Sequence, residues 1–356
     1  MQQYAQALLR AIQSTDGATV AGLLDICSPA AQARAQGLLA GAGVSARGGG
    51  APPPPAVAAS VVEHLRRVSA LRDGWERVAA CCLCAAGALQ AAGGACDVLV
   101  LAYTRDALQE SAFQQVLQDA AGNWIVAPLL RLVADCLTIC AAPGCFPTRL
   151  DRDRELQALV DPVRNLFNFC INDKSTDVFT DSKRTGSLAA ANLLLKLNFR
   201  LNVPKQCTFV LQPLQRSILG DAQRLAAFPT AQVVTLKYYM GRLNMYDDKY
   251  IDADADLYYA FKHCHSGPRY HSQRRRILEA LIPVRLMLGV LPSQRLLAEY
   301  GFEAQYSGIV AGLRQGNIPA YRSALEEHME AFIASGVYLT LDKLQLYVLR
   351  TLIKRL

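Results

Sequence analysis

Three aspartates at alternate positions, Asp252, Asp254 and Asp256, resemble the first half of a calcium-binding loop. Such a loop also needs a glycine at its sixth position and a carboxylate at its twelfth, and here those positions are Leu257 and His263. On a helix, the side chain at i+2 points away from those at i and i+4, so the three cannot all converge on one ion. We therefore expect these aspartates to form a solvent-exposed helix face, without calcium.

Two histidines flank a cysteine in His263-Cys264-His265, and His271 follows a short distance later. Zinc ligands usually come as two spaced pairs of cysteine or histidine, and no second pair stands at a matching distance. The position of Cys264 on the apolar stripe of its segment predicts a thiol in the core between histidines at a helix end. The sequence therefore predicts no metal and no cofactor.

Catalytic motifs are missing from the chain. It has no G-x-G-x-x-G or Walker loop for nucleotides, no H-E-x-x-H zinc motif and no G-x-S-x-G nucleophile turn. Nothing in the order of residues assembles a nucleophile, a base and a group that orients them. We therefore predict that the protein is not an enzyme and name no catalytic residue.

Two basic clusters are the remaining candidates for chemistry. One lies within eight residues that also contain Tyr270 and His271, and the other lies near the end of the chain. Arginines contact phosphates and stack on bases, so these clusters predict a surface for single-stranded nucleic acid. On the residues alone, a solvated loop and a helix C-terminus favoured by cations are the preferred alternative explanation. The candidate nucleic-acid-binding residues are Arg269, Arg274, Arg275, Arg276, Lys343, Arg350, Lys354 and Arg355.

The element nearest to the first cluster is a helical hairpin over residues 230–264. Apolar residues recur at helical spacing on both sides of the break at Tyr246-Asp247-Asp248. Small residues, Gly241 on the first helix and Ala253 and Ala260 on the second, stand where the two helices must approach. The pattern fits a tetratricopeptide-type repeat without its tryptophan, and such repeats stack to form surfaces that hold partners.

Size and composition fit a solenoid or two to three domains. The chain has 356 residues, is 52% hydrophobic and carries a formal net charge of +7, a mild excess that permits an acidic partner or a nucleic acid. Its 11 cysteines, the absence of N-x-S/T sites and the N-terminal sequence favour reduced thiols in the cytosol or nucleus over a secreted protein. The Ala/Gly/Cys-rich residues 78–103 predict a buried helix pair turning at Gly93-Gly94, with no membrane insertion.

Helical patterns recur along the whole chain and no run alternates like a strand, so the sequence predicts an all-α fold of irregular repeats. We predict N-terminal helices at 1–40 and a flexible Gly/Pro-rich loop at 41–59. A helical-repeat region then follows at 60–225, and a C-terminal helical part occupies 226–356.

Several long stretches carry a specific resemblance. They include QYAQALLRAIQSTDGA at 3–18, Asn123-Trp124 with Pro128, DSKRTG at 181–186, NLLLKLNFRLN at 192–202, Thr230-Ala231-Gln232, YYMGR, AFKHCH, IPVRLMLG, QGN at 315–317 and GVYLTLDKLQLYVLRTLIKR at 336–355. Through them the chain resembles the PCI domain-containing protein 2 family, the Thp-like subunits of the transcription-coupled mRNA-export complex. The residues near 41–55 and 80–100 do not match clearly.

The resemblance implies a tetratricopeptide-like helical-repeat solenoid of PCI type, capped by a winged helix. The chain ends at Leu356, so we expect a C-terminal part that stops before the winged helix is complete.

It also implies a non-catalytic scaffold in the nucleus, associated with the nuclear pore, with the cytoplasm as a second location. Its implied partners are a GANP-like scaffold protein, a Sem/Dss-like small acidic protein and weakly bound, non-specific RNA. The alternative is a PCI subunit of a signalosome- or proteasome-lid-related assembly without RNA contact.

Overall fold

The computed structural model describes residues 1–41, 54–68, 74–91, 122–141, 146, 148–174 and 179–355. Throughout these residues the regular structure is helical, with no strand, which confirms the predicted all-α class. They form two compact units, Met1–Ala227 and Phe228–Leu356. None of the described helices is both long enough and apolar enough to cross a membrane.

The helices of the first unit pack mainly against near neighbours in the chain. Among the described residues, α3 and α4 both contact α5, α2 contacts α6, and α8 contacts α9. The helices are Gln2–Gln13 (α1), Gly17–Leu23 (α2), Pro29–Gly41 (α3), Pro54–Val68 (α4), Trp75–Ala91 (α5), Val126–Ala141 (α6), Arg149–Ala158 (α7), Val160–Ile171 (α8), Ser187–Arg200 (α9), Cys207–Leu214 (α10) and Ala222–Ala226 (α11).

Two of the predicted segments fall partly outside the described residues. The turn at Gly93-Gly94 and the second helix of the pair at 78–103 lie there, as does most of the predicted loop at 41–59. Helix α4 already begins at Pro54, inside that loop, because proline fits the first turn of a helix, where its missing N–H costs nothing. The predicted loop at 41–59 is therefore wrong for residues 54–59, which belong to α4.

Gly17 belongs to the stretch at 3–18 that carries the family resemblance, and a close backbone approach requires a glycine there. Gly17 opens α2, and a Cβ on it would stand 2.1 Å from the carbonyl oxygen of Trp124. The indole of Trp124 stacks in turn on Trp75, with ring centroids 5.9 Å apart. A residue with a side chain at position 17 would push these elements apart.

The second unit contains nine helices among its described residues. Its core joins α12, α13 and α14 to the shorter helices that follow. The helices are Thr230–Tyr246 (α12), Tyr250–His263 (α13), His271–Met287 (α14), Gln294–Glu299 (α15), Glu303–Gln315 (α16), Ile318–Glu327 (α17), Met329–Ser335 (α18), Tyr338–Lys343 (α19) and Gln345–Arg355 (α20).

Helices α12 and α13 form the predicted hairpin, and α13 packs in turn on α14. Gly241 is buried, and a Cβ on it would stand 2.5 Å from Cγ of Leu257 and 3.1 Å from that residue's backbone nitrogen. The glycine therefore lets the two helix backbones approach closely, as the sequence predicts. Thr230 is the first residue of α12, and Pro229 before it stands at the N-cap without a side-chain capping hydrogen bond.

Candidate nucleic-acid interface

The arginine-rich segment lies at the start of α14. Pro268–Tyr270 forms a single 3₁₀ turn and α14 begins at His271, so Arg274, Arg275 and Arg276 follow one another on a helix. Successive helical residues point about 100° apart, given 3.6 residues per turn. The three guanidinium groups therefore meet different surroundings and do not form one patch.

Arg274 is held inside the fold. Its Nε donates to the hydroxyl oxygen of Tyr300 at 2.9 Å, and its Nη1 donates to the carbonyl oxygen of Cys264 at 3.5 Å. The guanidinium carbon lies 4.3 Å from the ring centroid of Phe261. The side chain therefore ties α14 to the end of α13 and to Tyr300.

Arg275 is also engaged within the second unit. Its guanidinium carbon lies 4.9 Å from the ring centroid of Phe302. Its Nε stands 3.7 Å from Oε1 of Glu279, one turn along the same helix. Both Arg274 and Arg275 remain predicted RNA contacts, but each already has partners in the fold.

Arg276 and Arg269 differ from these two because both are exposed. Neither makes an ion pair or a hydrogen bond to another part of the chain that the structure describes. Arg276 lines a cavity of about 590 Å³ that opens between the starts of α12 and α14 and the end of α13. The cavity is lined by Thr230, Ala231, Val234, Thr235, Tyr238, Tyr239, His263, Cys264, His265, Tyr270, Gln273, Arg276 and Ile277.

The walls of this cavity are aromatic and carry no carboxylate. His265 accepts a hydrogen bond at Nδ1 from the backbone N–H of Gly267, at 3.2 Å, which leaves its Nε2 as the donor of a neutral ring. The His265 and Tyr270 rings lie 5.0 Å apart. The cavity is not apparent from the amino-acid sequence, in which the adjacent tyrosines Tyr238 and Tyr239 are its available signal.

Cys264 was predicted in the core, but it is half-buried at the C-terminal end of α13 and lines the cavity. The helix ends there and the backbone turns extended, so the apolar stripe does not continue through this residue. Desolvation by burial raises the pKa of its thiol.

The histidines near Cys264 do not gather as metal ligands. His263 stacks on Tyr259 at 4.0 Å, and His271 stacks on Tyr300 at 4.8 Å with its Nε2 3.2 Å from the carbonyl oxygen of Glu299. Over the described parts of the chain, no group of three or more histidine, cysteine or acidic side chains could hold a metal ion.

The predicted solvent-exposed aspartate face is wrong for Asp256. This residue is 7% exposed, and its carboxylate accepts hydrogen bonds from Lys237 Nζ at 2.7 Å and Asn244 Nδ2 at 3.0 Å. Asp254 accepts from Arg285 Nε at 2.8 Å, and Asp252 is exposed. Asp256 thus faces α12, Asp254 faces α14 and Asp252 faces solvent, so the three carboxylates do not share an ion.

The second basic cluster lies on α19 and α20. Lys343 donates to the carboxylate of Asp248, and this hydrogen bond lowers the pKa of Asp248. Arg350, Lys354 and Arg355 are exposed and pair with no other described side chain. Among the predicted residues, the free cations are thus Arg269 and Arg276 in one place and these three in another.

Apolar side chains accompany the cations of α20. Leu346 is 71% exposed and Ile353 is 62% exposed, and Leu349 lies between them at helical spacing. Residues 345–355 contain no acid, and Arg350 and Lys354 are exposed beside these apolar side chains. We refer to Leu346, Leu349, Arg350, Ile353 and Lys354 together as the α20 face.

The fold defines the class of protein first: over the residues that the structure describes it is an all-α protein of packed helices. No protein-family model matches the chain. It is 29% identical over 255 residues to the PCI domain-containing protein 2 homolog of Drosophila melanogaster, which covers 71% of this chain and 62% of that protein. It is 32% identical over 200 residues to PCI domain-containing protein 2 of Danio rerio, covering 56% of this chain and 48% of that protein.

A plant protein is similar as well. The Enhanced ethylene response protein 5 of Arabidopsis thaliana is 37% identical over 174 residues, 49% of this chain and 41% of that protein. The similarities to the Drosophila melanogaster and Danio rerio proteins confirm the resemblance to the PCI domain-containing protein 2 family and support a helical solenoid of PCI type. The chain spans about half the length of the curated relatives it matches, between 41% and 62% in these three.

Proposed function

We propose that this protein is a non-catalytic scaffold subunit of a nuclear-pore-associated mRNA-export complex. In this role it docks a GANP-like scaffold protein and a Sem/Dss-like small acidic protein, and it contributes to RNA binding. The observation that carries the proposal is the similarity to PCI domain-containing protein 2 and its homologues over more than half of the chain. The nucleus, at the pore, is the proposed location.

The α20 face supports a role in holding partners. Contiguous exposed apolar side chains mark interaction sites more often than they mark ordinary surface. Exposed cations stand among them and no acid lies on the helix, so the face complements a small acidic protein with apolar anchors. Charge complementarity of this kind steers association and selects the partner.

The RNA contribution is weak and independent of sequence. Exposed cations neutralise backbone phosphates, which carry no base information. Binding of this kind falls as salt rises, because the entropy gained by releasing counterions from the RNA shrinks when the surrounding salt is more concentrated. Titration of a labelled single strand at increasing salt measures this dependence.

Purification of a tagged chain from nuclear extract tests the scaffold proposal. Recovery of a GANP-like protein with a Sem/Dss-like protein supports it. Recovery of isopeptidase-bearing subunits of the proteasome lid or of a signalosome instead overturns it and favours the alternative assembly.

Substitutions on the α20 face test the docking of the acidic partner. The double change Leu346→Asp and Ile353→Asp should weaken capture of the Sem/Dss-like protein by about tenfold or more, the effect of losing about 1.4 kcal/mol of binding free energy. Ile251→Asp is the matched control, since Ile251 is 77% exposed on α13, outside the face. Equal capture by the double variant and the control would remove the α20 face from the proposal.

A further inference from the structure

The cavity between α12, α13 and α14 has the size of a ligand site. Its volume of about 590 Å³ lies within the roughly 300–1,000 Å³ typical of small-molecule and cofactor sites. All of its lining residues belong to the second unit. Three tyrosines and two histidines supply its rings, and threonine, glutamine and arginine supply its polar groups.

Charge restricts the class of ligand that this cavity fits. Arg276 is the one arginine or lysine among the lining residues, and no aspartate or glutamate is among them. Its guanidinium is exposed and uncommitted within the described chain, whereas the neighbouring Arg274 and Arg275 are held by Phe261 and Phe302. A single free guanidinium beside uncharged walls matches one phosphate group.

The tyrosine and histidine rings of the cavity provide a second means of recognising a nucleotide. Aromatic side chains bind single-stranded nucleic acid by stacking on its bases, with little preference for sequence. The side-chain amide of Gln273 and Nε2 of His265 provide hydrogen-bond groups for the edge of a stacked base. Tyr270 is 39% exposed and accessible at the rim.

We propose that this cavity binds one nucleotide of single-stranded RNA, with the base among the tyrosine and histidine rings and the phosphate on Arg276. The proposal rests on the RNA contact of the proposed function and locates it. An acidic peptide fits less well, because several carboxylates would share one guanidinium and the ring faces would gain no partner.

An abasic oligonucleotide separates base recognition from attraction to the backbone. The whole chain is titrated at low salt with a fluorescein-labelled octauridylate and with an abasic strand of the same length, by fluorescence anisotropy. We expect the abasic strand to bind about fivefold or more weakly, as the loss of one stacked base predicts. Equal affinities would overturn the cavity site while leaving RNA binding intact, and no binding of either strand would overturn both.

Two substitutions test whether the RNA binds in this cavity. Arg276→Gln should weaken octauridylate binding more than Arg269→Gln, which removes the same charge from an exposed arginine outside the lining. Ala231→Trp adds a large ring at the cavity wall without changing charge and should also weaken binding. Equal effects of the two arginine variants, or full binding by the tryptophan variant with an unchanged circular dichroism melt, would overturn the cavity site.

The rate at which Cys264 is alkylated measures directly whether the cavity is occupied. Octauridylate should slow the alkylation of Cys264 by N-ethylmaleimide, which peptide mass spectrometry measures. It should leave the alkylation of Cys27 unchanged, since Cys27 is a half-buried thiol of the first unit. Protection of Cys264 by a polyglutamate peptide but not by octauridylate would overturn the nucleotide and assign the cavity to an acidic peptide.

Discussion

The α12–α13 hairpin and the α20 face use similar residues in opposite ways. In the hairpin, Asp256 is buried with Lys237 at 2.7 Å, and Gly241 lets Leu257 approach the neighbouring helix. On the α20 face, leucine, isoleucine, arginine and lysine side chains all point to solvent. Both segments belong to the second unit, so the difference lies in what each helix packs against.

This difference indicates which residues stabilise the fold and which are available to bind a partner. Removing one partner of a buried ion pair lowers the free energy of unfolding, because the other charge is left buried without compensation. A charge or an apolar side chain without a partner contributes little to stability and is available for binding. Substitutions in the hairpin should therefore change stability first, and substitutions at the exposed cations should change binding first.

The largest effect is expected at Asp256. Asp256→Ala leaves Lys237 without its carboxylate in a site where the lysine side chain is only 24% exposed. We expect a loss of about 3 kcal/mol in the free energy of unfolding, the lower end of the range for breaking a buried ion pair. Urea denaturation followed by circular dichroism measures it.

Asp252→Ala is the matched control, because Asp252 is exposed in the first turn of the same helix. It should cost at most about 1 kcal/mol, the value of an acid near a helix N-terminus. Equal losses for the two variants would mean that the buried pair does not distinguish the hairpin from an exposed face.

The next effect is expected at Gly241. Gly241→Leu forces a side chain toward Leu257, and overpacking of this kind costs about 1–3 kcal/mol. Gly37→Leu is the control, since a Cβ on Gly37 meets nothing within 4 Å in α3, and it should leave stability unchanged or slightly raised. Thermal melts that match wild type for Gly241→Leu would show that the hairpin helices are not in close contact.

The smallest effect separates two neighbouring arginines. Arg274→Ala removes a hydrogen bond to Tyr300 and the contact with Phe261, and should cost about 1–2 kcal/mol in unfolding free energy. Arg276→Ala should stay within about 0.5 kcal/mol of wild type, as exposed positions usually do. If both variants unfold at the same urea concentration, Arg274 is not the structural arginine of the segment.

Hydrophobic periodicity predicted most helices of this chain, because the apolar residues on the buried face of a helix recur at a regular spacing in the sequence. The apolar stripe is weak in Pro29–Gly41, where alanines and glycines blur it, and in Arg149–Ala158, which is dominated by charged residues. Near the end of the chain, helices α17 and α18 are divided at His328, and α19 and α20 are divided at Leu344. Such breaks depend on packing that the local pattern does not contain.

The candidate interface was only partly predictable. The sequence located the arginine-rich segment, but it could not tell Arg276 from Arg274 and Arg275, since the three are identical in type and adjacent. Their difference arises from Phe261, Tyr300 and Phe302, which are distant in the chain.

The sequence by itself determined the helical class, the hairpin with its glycine and the resemblance to PCI proteins, because each depends on local spacing and on the order of residues. Tertiary structure alone decided that Asp256 is buried, that Cys264 lines a cavity and that Arg276 remains free. Burial and pairing depend on which helices meet, and the free energy of a charge depends on that environment more than on the residue type.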